Sequence, residues 1–110
     1  MNAVKRLLWW ILLGSAGGLN RARILHLLFN EPGNANEIAK RLNLDYKTVR
    51  HHLSILERNN LVTSMGSGYG KVYFPSDLLE KHREIFLEIW GKIGKKGINE
   101  ERMEEGKNEE

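Results

Sequence analysis

The chain has no cysteine among its 110 residues. That excludes disulfides, thiolate metal sites and cysteine nucleophiles together, and it suits a reducing cytoplasm. There are two prolines, Pro32 and Pro75, and each marks the end of an element. Long apolar runs are also missing: the longest, Leu7 to Leu13, has seven residues, against ~20 for a bilayer span. It lacks a convincing signal-peptide cleavage region, so the expectation is a cytoplasmic protein with no membrane partner. Trp9 and Trp10 within it read as residues of a packing helix. No nucleophile, base and orienting group recur at a recognisable spacing, and no enzyme is expected. His51 and His52 are adjacent, so on a helix they point about 100° apart and cannot form an i, i+4 metal pair. His51 falls on the outward side of its helix, whereas His52 reads as packed. His26 and His82 fall on separate helices. Neither a metal nor another cofactor is expected.

Charge of one sign is concentrated. The net charge of +3 conceals six acidic residues between Glu100 and Glu110, which leave Met1 to Asn99 at about +7. A basic body with an acidic tail fits a polyanionic partner, because cations that contact phosphates release condensed counterions.

Apolar spacing divides the chain into five ordered segments and a tail. Ala3 to Leu13 is read as a helix with Leu7, Leu8, Ile11 and Leu12 on one broad face, and Gly14, Gly17 and Gly18 end it. A second helix is expected from Asn20 as N-cap to Asn30, burying Ile24, Leu27 and Leu28 and exposing Arg21. Asn34 with Glu37 resembles a capping box opening a short helix to Leu42, and Asn43 suits a sharp left-handed turn. Asp45 caps the next helix, which runs to about Asn59 with Val49, Leu53 and Leu56 as its buried seam. Leu61 to Met65 and Lys71 to Phe74 read as strands around a tip with three glycines in five residues. Asp77 and Glu80 suggest a second capping box and a long helix to Ile93. Beyond Gly94 apolar periodicity stops.

The order of these elements is that of a winged helix-turn-helix: mainly α with a small β-hairpin, and extra N- and C-terminal helices. The expected divisions are an N-terminal amphipathic helix and link (1–18), the core (19–76), a C-terminal helix (77–94) and a disordered charged tail (95–110). On the outward face of the helix 45–59, Lys47, Arg50, Ser54 and Arg58 share one side, with Tyr46, Thr48 and His51 near its N-terminal end. In a helix-turn-helix these residues reach base edges in the major groove of double-stranded DNA. Arg50 and Lys47 can donate to guanine, and Thr48 can touch a thymine methyl. Tyr69 and Lys71 flank glycines whose amides can approach phosphates. Arg21 and Arg23 would add phosphate contacts or, equally, be structural with their alkyl stems covering the core.

The terminal helices carry more apolar surface than a small core needs. Leu8, Trp9, Ile11 and Leu12 at one end, and Phe86, Ile89, Trp90 and Ile93 at the other, are expected to pair across a two-fold axis in a homodimer. The alternative is a protein-interaction module that works through those apolar helices and has only non-specific affinity for DNA.

Leu42 to Val62, LNLDYKTVRHHLSILERNNLV, resembles the recognition-helix region of ArsR-like winged-helix transcription regulators, most closely the small archaeal members. The preceding NRARILHLLFNEPGNANEIAKR fits the first two helices of that family, so the similarity covers Leu19 to Pro75. The resemblance implies a dimeric repressor with terminal helices at the dimer interface and DNA contacts at Tyr46, Lys47, Thr48, Arg50 and His51. Metal-sensing members carry a cysteine motif near the recognition helix, which is absent here. Asp77, His82 and Glu84 do not reproduce the His-carboxylate spacing of other relatives. Any small-molecule inducer is left undefined.

Overall fold

The computed structural model describes residues 2–94. The elements run α1 (Ala3–Leu12), α2 (Gly18–Asn30), β1 (Gly33–Asn34), α3 (Ala35–Leu42), α4 (Tyr46–Arg58), β2 (Val62–Met65), a 3-10 turn (Gly68–Gly70), β3 (Val72–Pro75) and α5 (Asp77–Lys81). A further helical run, α6, occupies 83–94. The tail expected to be disordered, 95–110, lies outside the described residues.

Local chemistry sets most boundaries. Asn34 Oδ1 accepts from the Glu37 amide (2.8 Å) while Glu37 Oε1 accepts from the Asn34 amide (3.1 Å), so the expected capping box opens α3. Asn43 closes that helix at φ 54°, and the Leu44 amide donates back to the Ala39 carbonyl. This is the left-handed ending that satisfies the last carbonyls of a helix. Asn60, at φ 57°, closes α4 in the same way, with the Leu61 amide on the Leu56 carbonyl. Sequence reasoning did not single out that second turn.

Three boundaries differ from expectation. First, α2 starts at Gly18 behind a left-handed Gly17, not at Asn20. The chain turns so tightly there that a methyl on Gly18 would lie 2.2 Å from the Leu12 carbonyl oxygen. Second, Ser76, not Asp77, caps α5: its Oγ accepts from the Leu79 amide and donates to the Asn60 carbonyl. Third, the long C-terminal helix is broken at His82, whose Nδ1 sits 2.9 Å from the Leu78 carbonyl oxygen, so α5 and α6 follow separately.

The sheet is antiparallel in the order β1-β3-β2. The hairpin pairs Val62 with Pro75 and Met65 with Val72. The third strand, β1, was unforeseen and pairs Gly33 with Tyr73 and Asn34 with Val72. Ile24, Leu25 and Leu28 of α2, Ile38 of α3, and Val49, Leu53 and Leu56 of α4 form one buried core with Leu61, Leu79, Phe86 and Ile89. Each large aliphatic side chain removed from water there contributes roughly 1.5–3 kcal/mol.

The expected dimer seam requires correction. Leu8, Ile11, Leu12, Phe86, Ile89 and Ile93 are buried within the single chain, so they belong to its own core rather than to a partner's contact. Helices α1 and α6 are joined by a Lys5–Glu88 ion pair at 3.7 Å and by Lys92 over the Trp9 ring. Trp90 is half-buried, stacked on His26 of α2 at 4.3 Å. What α1 leaves exposed is Trp10, 63% accessible, beside a groove of about 410 Å³ lined by Trp9, Trp10, Leu13 and Gly14.

Candidate nucleic-acid interface

The surface begins with the start of α4. Asp45 Oδ2 accepts from the amides of Lys47 (3.0 Å) and Thr48 (3.3 Å), which uses the one acid at this end as a cap. The cap leaves cations to line the face. With Val49, His52, Leu53 and Leu56 turned into the core, Lys47, Arg50, His51, Ser54 and Arg58 are exposed, while Tyr46 and Thr48 are half-buried. Ala39 is buried where α3 must approach α4 closely.

The wing stands against the N-terminal half of this helix. Gly66 and Gly68 take positive φ values of 91° and 60°, a region side chains other than Gly enter at a cost. The turn they allow carries Tyr69 outward, 81% accessible. Tyr46 and Arg50 of α4 and Gly68 and Tyr69 of the wing enclose an open cleft of about 320 Å³. The geometry therefore brings together four parts of the expected set: the helix tip, Arg50, the glycines and Tyr69.

Lys71 is differently placed. Its Nζ lies 3.5 Å from Glu57 Oε1 and 5.5 Å from the centre of the Tyr73 ring, so its charge has a protein partner at the base of the wing. Glu57 also accepts from Ser64 Oγ at 2.8 Å. One carboxylate thus ties β2 and the residue preceding β3 to α4.

Two arginines are held by acceptors of the chain itself. Arg21, expected to be exposed and to contact phosphate, is 3% accessible. Its guanidinium donates to the Ile11 carbonyl, Ser15 Oγ, the Ala16 carbonyl and His52 Nδ1. A buried cation is retained only where such acceptors replace water, and here they outweigh any external phosphate. Arg23 donates to the Leu42 carbonyl at 2.7 Å and to Asn20 Oδ1 at 3.1 Å, bridging α2 to the end of α3. His52 is buried as expected, 5% accessible. Among the described residues, no group of three or more His, Asp or Glu side chains is placed to hold a metal ion. No helix there is long and apolar enough to cross a membrane.

Residues 20–64, most of α2, then β1, α3, α4 and most of β2, match the model of the bacterial regulatory protein, arsR family. The fold is that of a winged helix-turn-helix, and over this stretch the chain is similar to the arsR family. The family is one of DNA-binding regulators and not of enzymes. An uncharacterized HTH-type transcriptional regulator of Methanocaldococcus jannaschii is 36% identical to this chain over 59 residues, 53% of its length. The chain spans only 15% of that relative's length. Among solved structures, the Zalpha domain from Carassius auratus PKZ in complex with Z-DNA is 32% identical, with a TM-score of 0.50 over 56% of this chain and 98% of that one. The homodimeric winged helix-turn-helix DNA-binding domain of a possible ArsR-family regulator from Mycobacterium bovis superimposes with a TM-score of 0.62. It is 19% identical, with 83% of this chain and 80% of that one covered.

Proposed function

We propose that the ArsR-like chain is a transcriptional regulator that binds double-stranded DNA sequence-specifically as a homodimer and represses by occupying its site. The observation that carries this reading is the face of α4. Lys47, Arg50, His51, Ser54 and Arg58 are exposed on it beside an open wing, and its one N-terminal acid is taken up by capping. Helix α4 would enter the major groove, with Lys47, Thr48 and Arg50 at base edges. Tyr46 and Tyr69 would close on the sugar-phosphate strand between helix and wing, and the glycine tip would follow the backbone or the minor groove. The Z-DNA complex of the Carassius auratus domain supports a nucleic-acid partner for this fold.

The Mycobacterium bovis domain is described as homodimeric, which supports the same assembly here. Since the terminal seams are buried within the chain, the second copy would instead cover Trp10 and the groove it shares with Trp9 and Leu13. The test of the DNA reading is selection of bound duplexes from a random pool, followed by titration of the selected site with Arg50→Ala. Recovery of a palindrome is expected, with ~1–3 kcal/mol of discrimination lost at the base Arg50 reads. A pool without enrichment, or unchanged discrimination by Arg50→Ala, would overturn it.

A further inference from the structure

Arg21 and His52 take no part in the outward face, yet they connect it to the corner between α1 and α2. Arg21 Nε donates to the Ile11 carbonyl (2.9 Å), and Nη2 donates to Ser15 Oγ (2.6 Å) and the Ala16 carbonyl (3.0 Å). Nη1 lies 3.3 Å from His52 Nδ1. An arginine only donates, so Nδ1 must accept, and the ring is the neutral form with its proton on Nε2. The imidazole is also closed in on the side of Gly17, where a methyl would lie 2.6 Å from Cε1. The charged groups facing it are Arg21 from α2 and His51 from its own helix. The end of α1 and its corner present two carbonyls and the Ser15 hydroxyl. No carboxylate among the described residues forms an ion pair with Arg21.

We propose that the Arg21–His52 contact is a proton-sensitive latch on the recognition helix: the neutral imidazole holds α4 to the α1–α2 corner, and its protonation releases α4 and weakens DNA binding. The latch rests on the DNA-binding reading given above. His52 is a positioning residue in it, because it lies one place from His51 and two from Arg50 but touches the corner instead of the groove. Protonation removes the acceptor and leaves two cations in contact in a buried space without a counter-charge.

Burial, with Arg21 and His51 adding to it, holds the His52 imidazole below the usual histidine range. A depressed value in the folded state means that the latch contributes its full stability above the unfolded value of about 6.5. That contribution is lost as pH falls through the folded value. His51 is exposed on the DNA face and can meet a phosphate directly, a second effect on binding. The two effects are separated by working in a His51→Asn background.

The experiment has two arms. Long-range proton–nitrogen NMR on the wild-type chain without DNA reads the His52 tautomer and its titration. The Nε2–H form, titrating below the ordinary histidine value, is expected; an Nδ1–H form or an ordinary titration would overturn the latch. The second arm measures fluorescence anisotropy of a labelled duplex selected from a random pool, at about pH 7.5 and at an acidic pH below the His52 midpoint read in the first arm. With His51→Asn, affinity is expected to fall several-fold at the acidic pH. Adding His52→Asn supplies a neutral amide oxygen near the position of Nδ1, so affinity at the higher pH is kept and the acid loss disappears. An equal acid loss in both variants would overturn the coupling to DNA. If the wild-type chain bound no duplex at either pH, the DNA reading would fail, while the NMR arm, which needs neither variant nor DNA, still decides the state of the imidazole.

Discussion

Arg21 and Lys47 carry the same formal charge and do opposite work. Arg21 is enclosed by acceptors of its own chain, whereas Lys47 is exposed at the tip of α4. Removing a buried donor leaves its acceptors unpaired at a cost of about 1–3 kcal/mol. Arg21→Ala is therefore expected to lower the urea midpoint by that much stability and to leave the salt slope of DNA binding unchanged. Lys47→Ala should keep the midpoint and reduce the slope by about 1. Urea melts and DNA titrations over a salt series check both, and a reversal of the two patterns would return Arg21 to the interface. Sequence alone could not separate them, because a basic residue in the first turn of a helix is ordinarily solvated. The acceptors that bury Arg21 come from Ile11, Ser15 and Ala16, residues whose nearness depends on the α1–α2 turn.

At the level of elements, a helix end was legible where its cap is a side chain and hidden where it is a packing event. Asn34 with Glu37, Asn43, and Asp45 were readable because each satisfies backbone groups within a few residues of itself. The start of α2 was not, since it is set by Gly18 against the Leu12 carbonyl. Ser76 was passed over for Asp77 because its hydroxyl has a second role, donating to Asn60 across the domain. Strand β1 is two residues long, too short to show the alternation that reveals a strand. Capping also makes a prediction about the reading helix. Asp45→Ala removes the acceptor for two amides and is expected to cost about 1 kcal/mol, with Asp45→Asn costing less because it keeps an acceptor. Equal losses in denaturant melts would mean that the cap acts through its charge and not through its oxygen.

For the whole molecule, the layout of helix-turn-helix and wing was legible, and so was the excess of apolar surface at both termini. What covers that surface was not, because periodicity reports which side of a helix is apolar and never what lies against it. The termini bury Leu8, Ile11, Leu12, Phe86, Ile89 and Ile93 within the chain and leave Trp10 and Leu87 exposed. If Trp10 is covered by a second copy, Trp10→Glu should lower the sedimentation mass from twice 12.7 kDa to one chain, with little change in melting. A wild-type mass of one chain at DNA-binding concentrations would instead leave each copy reading a lone half-site. The three-stranded sheet sets a mechanical limit on that reading. Asn34 belongs to β1 and is also the cap of α3, while Glu57 of α4 holds Ser64 of β2 and Lys71 just before β3. Helix-turn-helix and wing base are thereby tied together, and fitting to the groove is left to the five residues from Gly66 to Gly70. Differences in operator shape would be absorbed at that tip, as a fingertip yields while the hand behind it does not.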